Sequence, residues 1–159
     1  MRFAYLLLPA LLLSACASTQ SDKPVRQKTD RQLDLAIDGA GFFIVQTSAG
    51  GFLFTRNGEM SVASTGEIVN NDGYRLYPPV QIPPETNNII VTPDGVVRTQ
   101  HAGQAPEVAG QIVLSRFEHP EKLDHDGIYR MPTERSGNPV TAKPGLDGLG
   151  TLITGALEQ

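Results

Sequence analysis

The sequence predicts an all-β fold: a single antiparallel sandwich or open-barrel-like domain with short strands and many turns, after a flexible N-terminal tether. Three observations carry this. Turn signals recur roughly every 6–12 residues between short runs rich in β-branched and aromatic residues. No apolar stripe at the 3.6-residue helical spacing is sustained past the first sixteen residues. Glycine (16) and proline (12) are frequent and scattered, which suits many turns and excludes a collagen-like repeat. With 159 residues, 40% of them hydrophobic, the chain can bury one real core, and no second composition regime marks a second domain.

The elements follow in order. Phe42 to Gln46 is a β-rich run, Ser48-Ala49-Gly50-Gly51 turns it, and Phe52 to Arg56 is the next strand. Asn57-Gly58 is the strongest short hairpin signal, so Glu59 to Ala63 is expected to fold back on the strand before it. Thr65-Gly66 leads to Glu67–Asn70, and Asp72-Gly73 turns again. Tyr77 to Pro84 carries four prolines that cannot donate ladder hydrogen bonds, so an extended edge segment is expected there. Asn88 to Thr92 is apolar on both faces through Ile89-Ile90-Val91, which predicts a buried strand. Asp94-Gly95 turns it into Val96–Thr99. Gln111 to Phe117 reads as the longest later strand. Past Glu118 the chain is rich in glycine and proline and is expected to be loop, with a last strand at Thr151–Thr154.

The first sixteen residues have a separate logic. Arg2 supplies a positive charge, and Phe3 to Leu13 is an apolar run broken only by Pro9. Such a run is too short for a membrane span of about 20 residues but fits the apolar region of an export signal. Leu13-Ser14-Ala15-Cys16 follows, with small residues before the cleavage point. The tetrapeptide resembles the lipobox of bacterial lipoprotein precursors, in which the cysteine becomes the first residue and carries acyl chains. The resemblance implies a signal peptide over 1–15 and lipidation at Cys16. One acyl chain holds a protein only marginally at a membrane, whereas two or more hold it stably, at about 0.8 kcal/mol per buried CH₂. Cys16 is the one cysteine, so no disulfide can form within the chain. By resemblance to lipoprotein sorting rules, Ala17 at the next position favours the outer membrane, with the domain facing the periplasm.

Residues 16–32 are read as the lipidated tether, of which Ala17 to Gln32 is polar, with Val25 its one large apolar residue. At ~5–6 Å × √n this spacer would span ~20–25 Å root-mean-square. Without Arg2 the chain carries 12 basic against 17 acidic residues, an acidic balance that gives no electrostatic reason to bind nucleic acid.

Four stretches of the remaining body carry a resemblance. Leu33-Asp34-Leu35-Ala36-Ile37-Asp38-Gly39-Ala40-Gly41-Phe42-Phe43-Ile44-Val45 comes first. Thr55-Arg56-Asn57-Gly58-Glu59-Met60 follows, with Gly66-Glu67-Ile68-Val69 and Asp72-Gly73-Tyr74-Arg75-Leu76 behind it. The third runs from Ile82-Pro83 through Ile89-Ile90-Val91 to Asp94-Gly95-Val96-Val97. The fourth gathers Gly110-Gln111-Ile112, Phe117, Ser136-Gly137-Asn138-Pro139, and Pro144-Gly145 to Gly155-Ala156-Leu157-Glu158. In order and spacing these resemble the flagellar rod and hook family, with the distal rod type the nearest likeness. The resemblance implies a rod/hook-like β-domain over 33–159 and a structural, non-catalytic role in the basal body. In that family a helix precedes the first stretch and another follows the last, and the pair forms the tube through which subunits polymerise. Here a signal and a spacer stand in the first position, so the lateral surfaces of the β-domain are what the resemblance leaves for contacts.

The chain carries only weak patterns for chemistry. Glu118 to Asp126 packs four acids with His119 and His125, but the two histidines are six apart, which fits neither helical ligation nor a finger. Asp124-His125-Asp126-Gly127 starts like a calcium loop that no glutamate closes. His101 reads as a solvated loop residue. Ser61, Ser64, Ser115 and Ser136 have no nearby base, and the thiol is assigned to lipid. The expectation is therefore no enzyme, cofactor, metal site or small-molecule substrate. The partners expected are a membrane through Cys16 and flagellar rod or ring proteins. The alternative is an envelope-anchored binding module for a non-flagellar protein or glycan.

Overall fold

A computed structural model describes residues 25–159. These form an all-β structure in which every strand pairing is antiparallel and, among the described residues, no sheet closes into a barrel. Sixteen short strands occur in chain order: β1 Arg26–Lys28, β2 Leu35–Asp38, β3 Phe42–Gln46, β4 Phe52–Thr55, β5 Met60–Val62, β6 Ile68–Asn70, β7 Arg75–Leu76, β8 Asn88–Val91, β9 Val96–Gln100, β10 Glu107–Gln111, β11 Leu114–Arg116, β12 Asp124–Asp126, β13 Tyr129–Met131, β14 Val140–Ala142, β15 Thr151–Thr154 and β16 Ala156–Glu158. A single 3-10 turn, Pro120–Lys122, interrupts them.

The strand β3 is the centre. One edge pairs with β4; the other pairs with β7 at its far end and with β11 at its near end. The large sheet then runs β12-β13-β4-β3-β7-β6-β5, with β14 beyond β11. Successive side chains of a strand point to opposite faces. Phe43 therefore enters the main core with Leu35, Ile37, Met60, Ile68, Leu76 and Leu114, whereas Ile44 joins a second cluster with Phe54, Phe117 and Leu123. Both faces of β3 are covered, which is why Phe42-Phe43-Ile44-Val45 has no polar alternation. In the second cluster Phe54 and Phe117 meet edge to face, ring centroids 4.9 Å apart, the geometry that aromatic quadrupoles prefer.

Several expectations needed correction. The spacer reading of 16–32 fails for its last part, because Arg26–Lys28 pair with β16 in a two-stranded ribbon. The Asn57-Gly58 turn does not close a hairpin: β4 pairs with β3 and β13, while β5 pairs with β6. The chain crosses instead to β2, where Leu35 N donates to Gly58 O at 3.0 Å and Met60 N to Leu33 O at 3.2 Å. The expected strand Gln111 to Phe117 is two strands, because the chain pairs with β9 up to Gln111 and from Leu114 switches to β3 and β14. Ile89 and Ile90 are only half buried, since β8 is an edge of the three-stranded sheet β10-β9-β8. The stretch after Glu118 is not all loop; it holds the β12–β13 hairpin and β14.

The proline-rich segment behaves as an extended edge. Gln81 bridges Glu67, Ile68 N donates to Val80 O at 3.3 Å, and Ile82 N donates to Gly66 O at 2.8 Å. Val80 and Ile82 face the core between the prolines.

One buried polar network ties the β12–β13 hairpin to the turn after β6. The Tyr129 hydroxyl donates to Asp72 and accepts from Asn70 Nδ2 at 2.7 Å. Asn70 Oδ1 in turn accepts from the N–H groups of Asp72 and Tyr74. Burial of the phenol, then its bond to Asp72, holds the Tyr129 hydroxyl well above its ordinary value near 10. The neutral phenol is thus the form that folding favours. Its contribution is complete below pH ~10 and is lost as pH rises beyond that, because the unfolded chain ionises first. Tyr129→Phe is expected to cost about 1–3 kcal/mol at neutral pH by orphaning the buried Asn70 amide. The penalty should shrink above pH ~10, as read by denaturant titration of both proteins at pH 8 and pH 11. A penalty that does not change across that range would contradict the assignment.

Candidate functional site

The most organised polar site is a junction built on Arg56, just past β4. Its guanidinium holds the Glu158 carboxylate through both oxygens, one contact being Nε to Oε2 at 2.8 Å. Its remaining N–H groups reach Ile37 O at 3.2 Å, Gly39 O at 2.8 Å and Gly41 O at 2.7 Å. The planar fork of arginine suits this work, because one rigid group can satisfy a carboxylate and several carbonyls together. The side chains are 28% and 10% exposed, so the pair is largely shielded from water. Arg26 of β1 adds a second cation on the same strand end, donating to Asp38 Oδ1 at 2.7 Å and Ile37 O at 3.3 Å.

The junction joins β2 and the end of β4 to β16, at the far end of the chain. Leu35–Asp38 also pairs with β15, and the backbones approach so closely that a Cβ on Gly39 would lie 2.8 Å from the Gly150 Cα. Only glycine fits such a contact. The first, second and fourth of the motif stretches thus meet at one place. Arg56 and Glu158 are 102 residues apart, and no local pattern in either stretch names the other as partner.

The patterns considered for chemistry do not assemble. Among the described residues, no three His, Cys, Asp or Glu side chains are grouped to hold a metal ion. His119 Nδ1 lies 3.6 Å from Glu121, while His125 sits in the exposed strand β12, paired with Arg130. His101 Nδ1 contacts Glu85 O at 3.1 Å. Ser115 is buried against the Thr141 hydroxyl at 2.6 Å, and Ser136 closes a turn through Thr133 N at 2.9 Å. These are bonds of turns and packing. Cys16, the expected lipid site, lies outside the described residues.

Among the described residues, the outer surface offers an aromatic step. Phe52 and Tyr77 are 44% and 38% exposed and stack edge to face, centroids 4.7 Å apart. They continue the β4-β3-β7 face beyond the second apolar cluster, on the flank of the sheet.

Comparison with known proteins bears directly on this layout. Residues 36–99 match the flagellar hook protein FlgE/F/G D1 domain. The flagellar basal-body rod protein FlgG of Buchnera aphidicola subsp. Schizaphis graminum is 38% identical over 134 residues, 82% of this chain and 51% of that protein. The chain belongs to the flagellar rod and hook family. The FlgG proteins of Caulobacter vibrioides (35% identical, 79% of this chain and 48% of theirs) and Bacillus subtilis (33%, 84% and 52%) are similar as well. The rod and hook family is structural and non-enzymatic. The chain spans about half the length of the curated relatives it matches. Residues 36–99, matched by the D1 domain, contain β3 to β8 with most of β2 and β9, so the family pattern covers the centre of the large sheet.

Proposed function

We propose that this protein is a lipid-anchored structural component of the flagellar basal body, its rod-type β-domain held at the periplasmic face of the outer membrane by acyl chains on Cys16. The observation that carries the flagellar part is similarity to rod proteins over 134 residues, 82% of the chain. The Leu13-Ser14-Ala15-Cys16 tetrapeptide after a short apolar run carries the anchor. The domain would work as an accessory to the rod, through lateral β-sheet surfaces such as the Phe52–Tyr77 step, where exposed aromatics supply contact area.

Cell fractionation of the wild type against Cys16→Ser tests the anchor. Acyl chains at ~0.8 kcal/mol per buried CH₂ make membrane attachment stable when two or more are present. The wild type is expected in the membrane fraction, and nearly all of the variant in the soluble fraction. Equal distribution of the two would defeat the anchor. Deletion is expected to impair swimming, and the protein is expected in purified hook–basal bodies. Normal swimming together with absence from basal bodies would defeat the flagellar role and favour an envelope binding module with another partner.

A further inference from the structure

We infer that Val25–Asp30 is a releasable strap: docked, it shortens the leash between Cys16 and the domain, and peeled away it pays that length out. The inference rests on the anchor reading above. With the strap docked, nine residues from Cys16 to Pro24 separate lipid from fold, a reach of at most about 30 Å. Release of the six strap residues adds about 20 Å.

The strap is held weakly. Its backbone pairs with β16 through the register Arg26–Glu158, Gln27–Leu157 and Lys28–Ala156, flanked by Gln159 N to Val25 O at 3.0 Å and Thr29 N to Gly155 O at 2.7 Å. None of its side chains belongs to either apolar cluster, and Val25 is 68% exposed. Docking also strands polar atoms. Arg26 Nε and Thr29 Oγ1 are buried without a hydrogen-bond partner, and water would satisfy both on release. The main side-chain fastening is Arg26 on Asp38 and Ile37 O.

The elements on either side are held firmly, which makes the release local. Arg31 reaches Glu59 at 2.9 Å and Met60 O at 2.9 Å. Gln32 clips Asn88 and Ile89 N, and Leu33 enters the core. Payout therefore stops at Arg31. The partner strand β16 stays behind, fixed by Arg56 on Glu158 and by Gly155 N to Asp34 O at 2.8 Å. Tension entering at Val25 meets the ribbon first at its Gln159 N to Val25 O bond.

Hydrogen exchange on the acylated full chain in phosphatidylethanolamine–phosphatidylglycerol vesicles tests this. Segment 26–29 is expected to exchange well ahead of the β3 amides, through local opening. Arg26→Ala should speed the strap by roughly two- to tenfold while β3 is unchanged. A Gln27→Cys/Leu157→Cys crosslink should slow the strap when oxidised and restore it when reduced. Strap amides exchanging only with β3, or a crosslink without effect, would overturn the inference; the crosslink decides alone if Arg26→Ala fails to fold. Mass measurement of the N-terminal peptide separates the two readings. An unacylated Cys16 overturns the anchor and the leash with it, whereas an acylated chain with a rigid strap overturns the payout alone.

Discussion

Replacing Gly58 by alanine is expected to destabilise the domain by about 3 kcal/mol or more and to lower its melting temperature by roughly 10 °C. An added Cβ would sit 1.8 Å from the Leu35 carbonyl oxygen, 2.7 Å from its carbon and 3.0 Å from Phe43 Cε2. Two of these atoms are backbone, and none is the free end of a flexible side chain. Relief would require β2 to withdraw. That would break the Leu35 N to Gly58 O bond and disturb Leu35, Ile37 and Phe43, all fully buried. Close-packed interiors do not absorb such a shift without loss. Gly51→Ala is the control, because its Cβ would meet only the Thr47 hydroxyl at 3.5 Å; the change there should stay within about 0.5 kcal/mol. Thermal unfolding followed by circular dichroism reads both, and equal melting temperatures for the two variants would contradict the account.

Gly58 also shows where local sequence signals stop. Asn-Gly normally announces a two-residue hairpin whose glycine takes a positive φ. Gly58 does not take a positive φ; it is small because a carbonyl lies against it. Asn57 instead uses its side chain to accept from Glu59 N at 3.0 Å, and the chain crosses to β2. The same dipeptide served two physical needs, and only the global packing chose between them. Turns whose signals were purely local came out as read: 48–51, 65–66, 72–73 and 94–95 each reverse the chain between adjacent paired strands. The all-β class followed from alternating short runs and turns, and the structure bears it out. The β1–β16 ribbon was invisible because Arg26-Gln27-Lys28 has no apolar face, and its partner lies at the opposite end of the chain. The motif stretches marked the segments that build the Arg56 junction, but not the contact between them, which depends on pairing across 102 residues.

Arg56→Ala is expected to cost about 3–5 kcal/mol, the range found when one partner of a shielded ion pair is removed. Most of that loss comes from what is left behind. Glu158, 10% exposed, would keep a charge with no counter-charge in place, and the carbonyls of Gly39 and Gly41 would lose the donors that now bind them at 2.8 and 2.7 Å. Arg56→Lys should fall between, since an ammonium is a point charge and cannot span a carboxylate and three carbonyls at once. Removing both charges together, as Arg56→Met with Glu158→Leu, should cost less than Arg56→Ala alone, because no uncompensated charge remains. That ordering distinguishes an electrostatic lock from simple packing, in which the double variant would be the worst of the set. Denaturant titrations of the four proteins decide it. A loss below about 1 kcal/mol for Arg56→Ala would place the pair among solvent-screened surface bridges. It would also leave the Gly155 N to Asp34 O bond to hold β16 in place when β1 leaves.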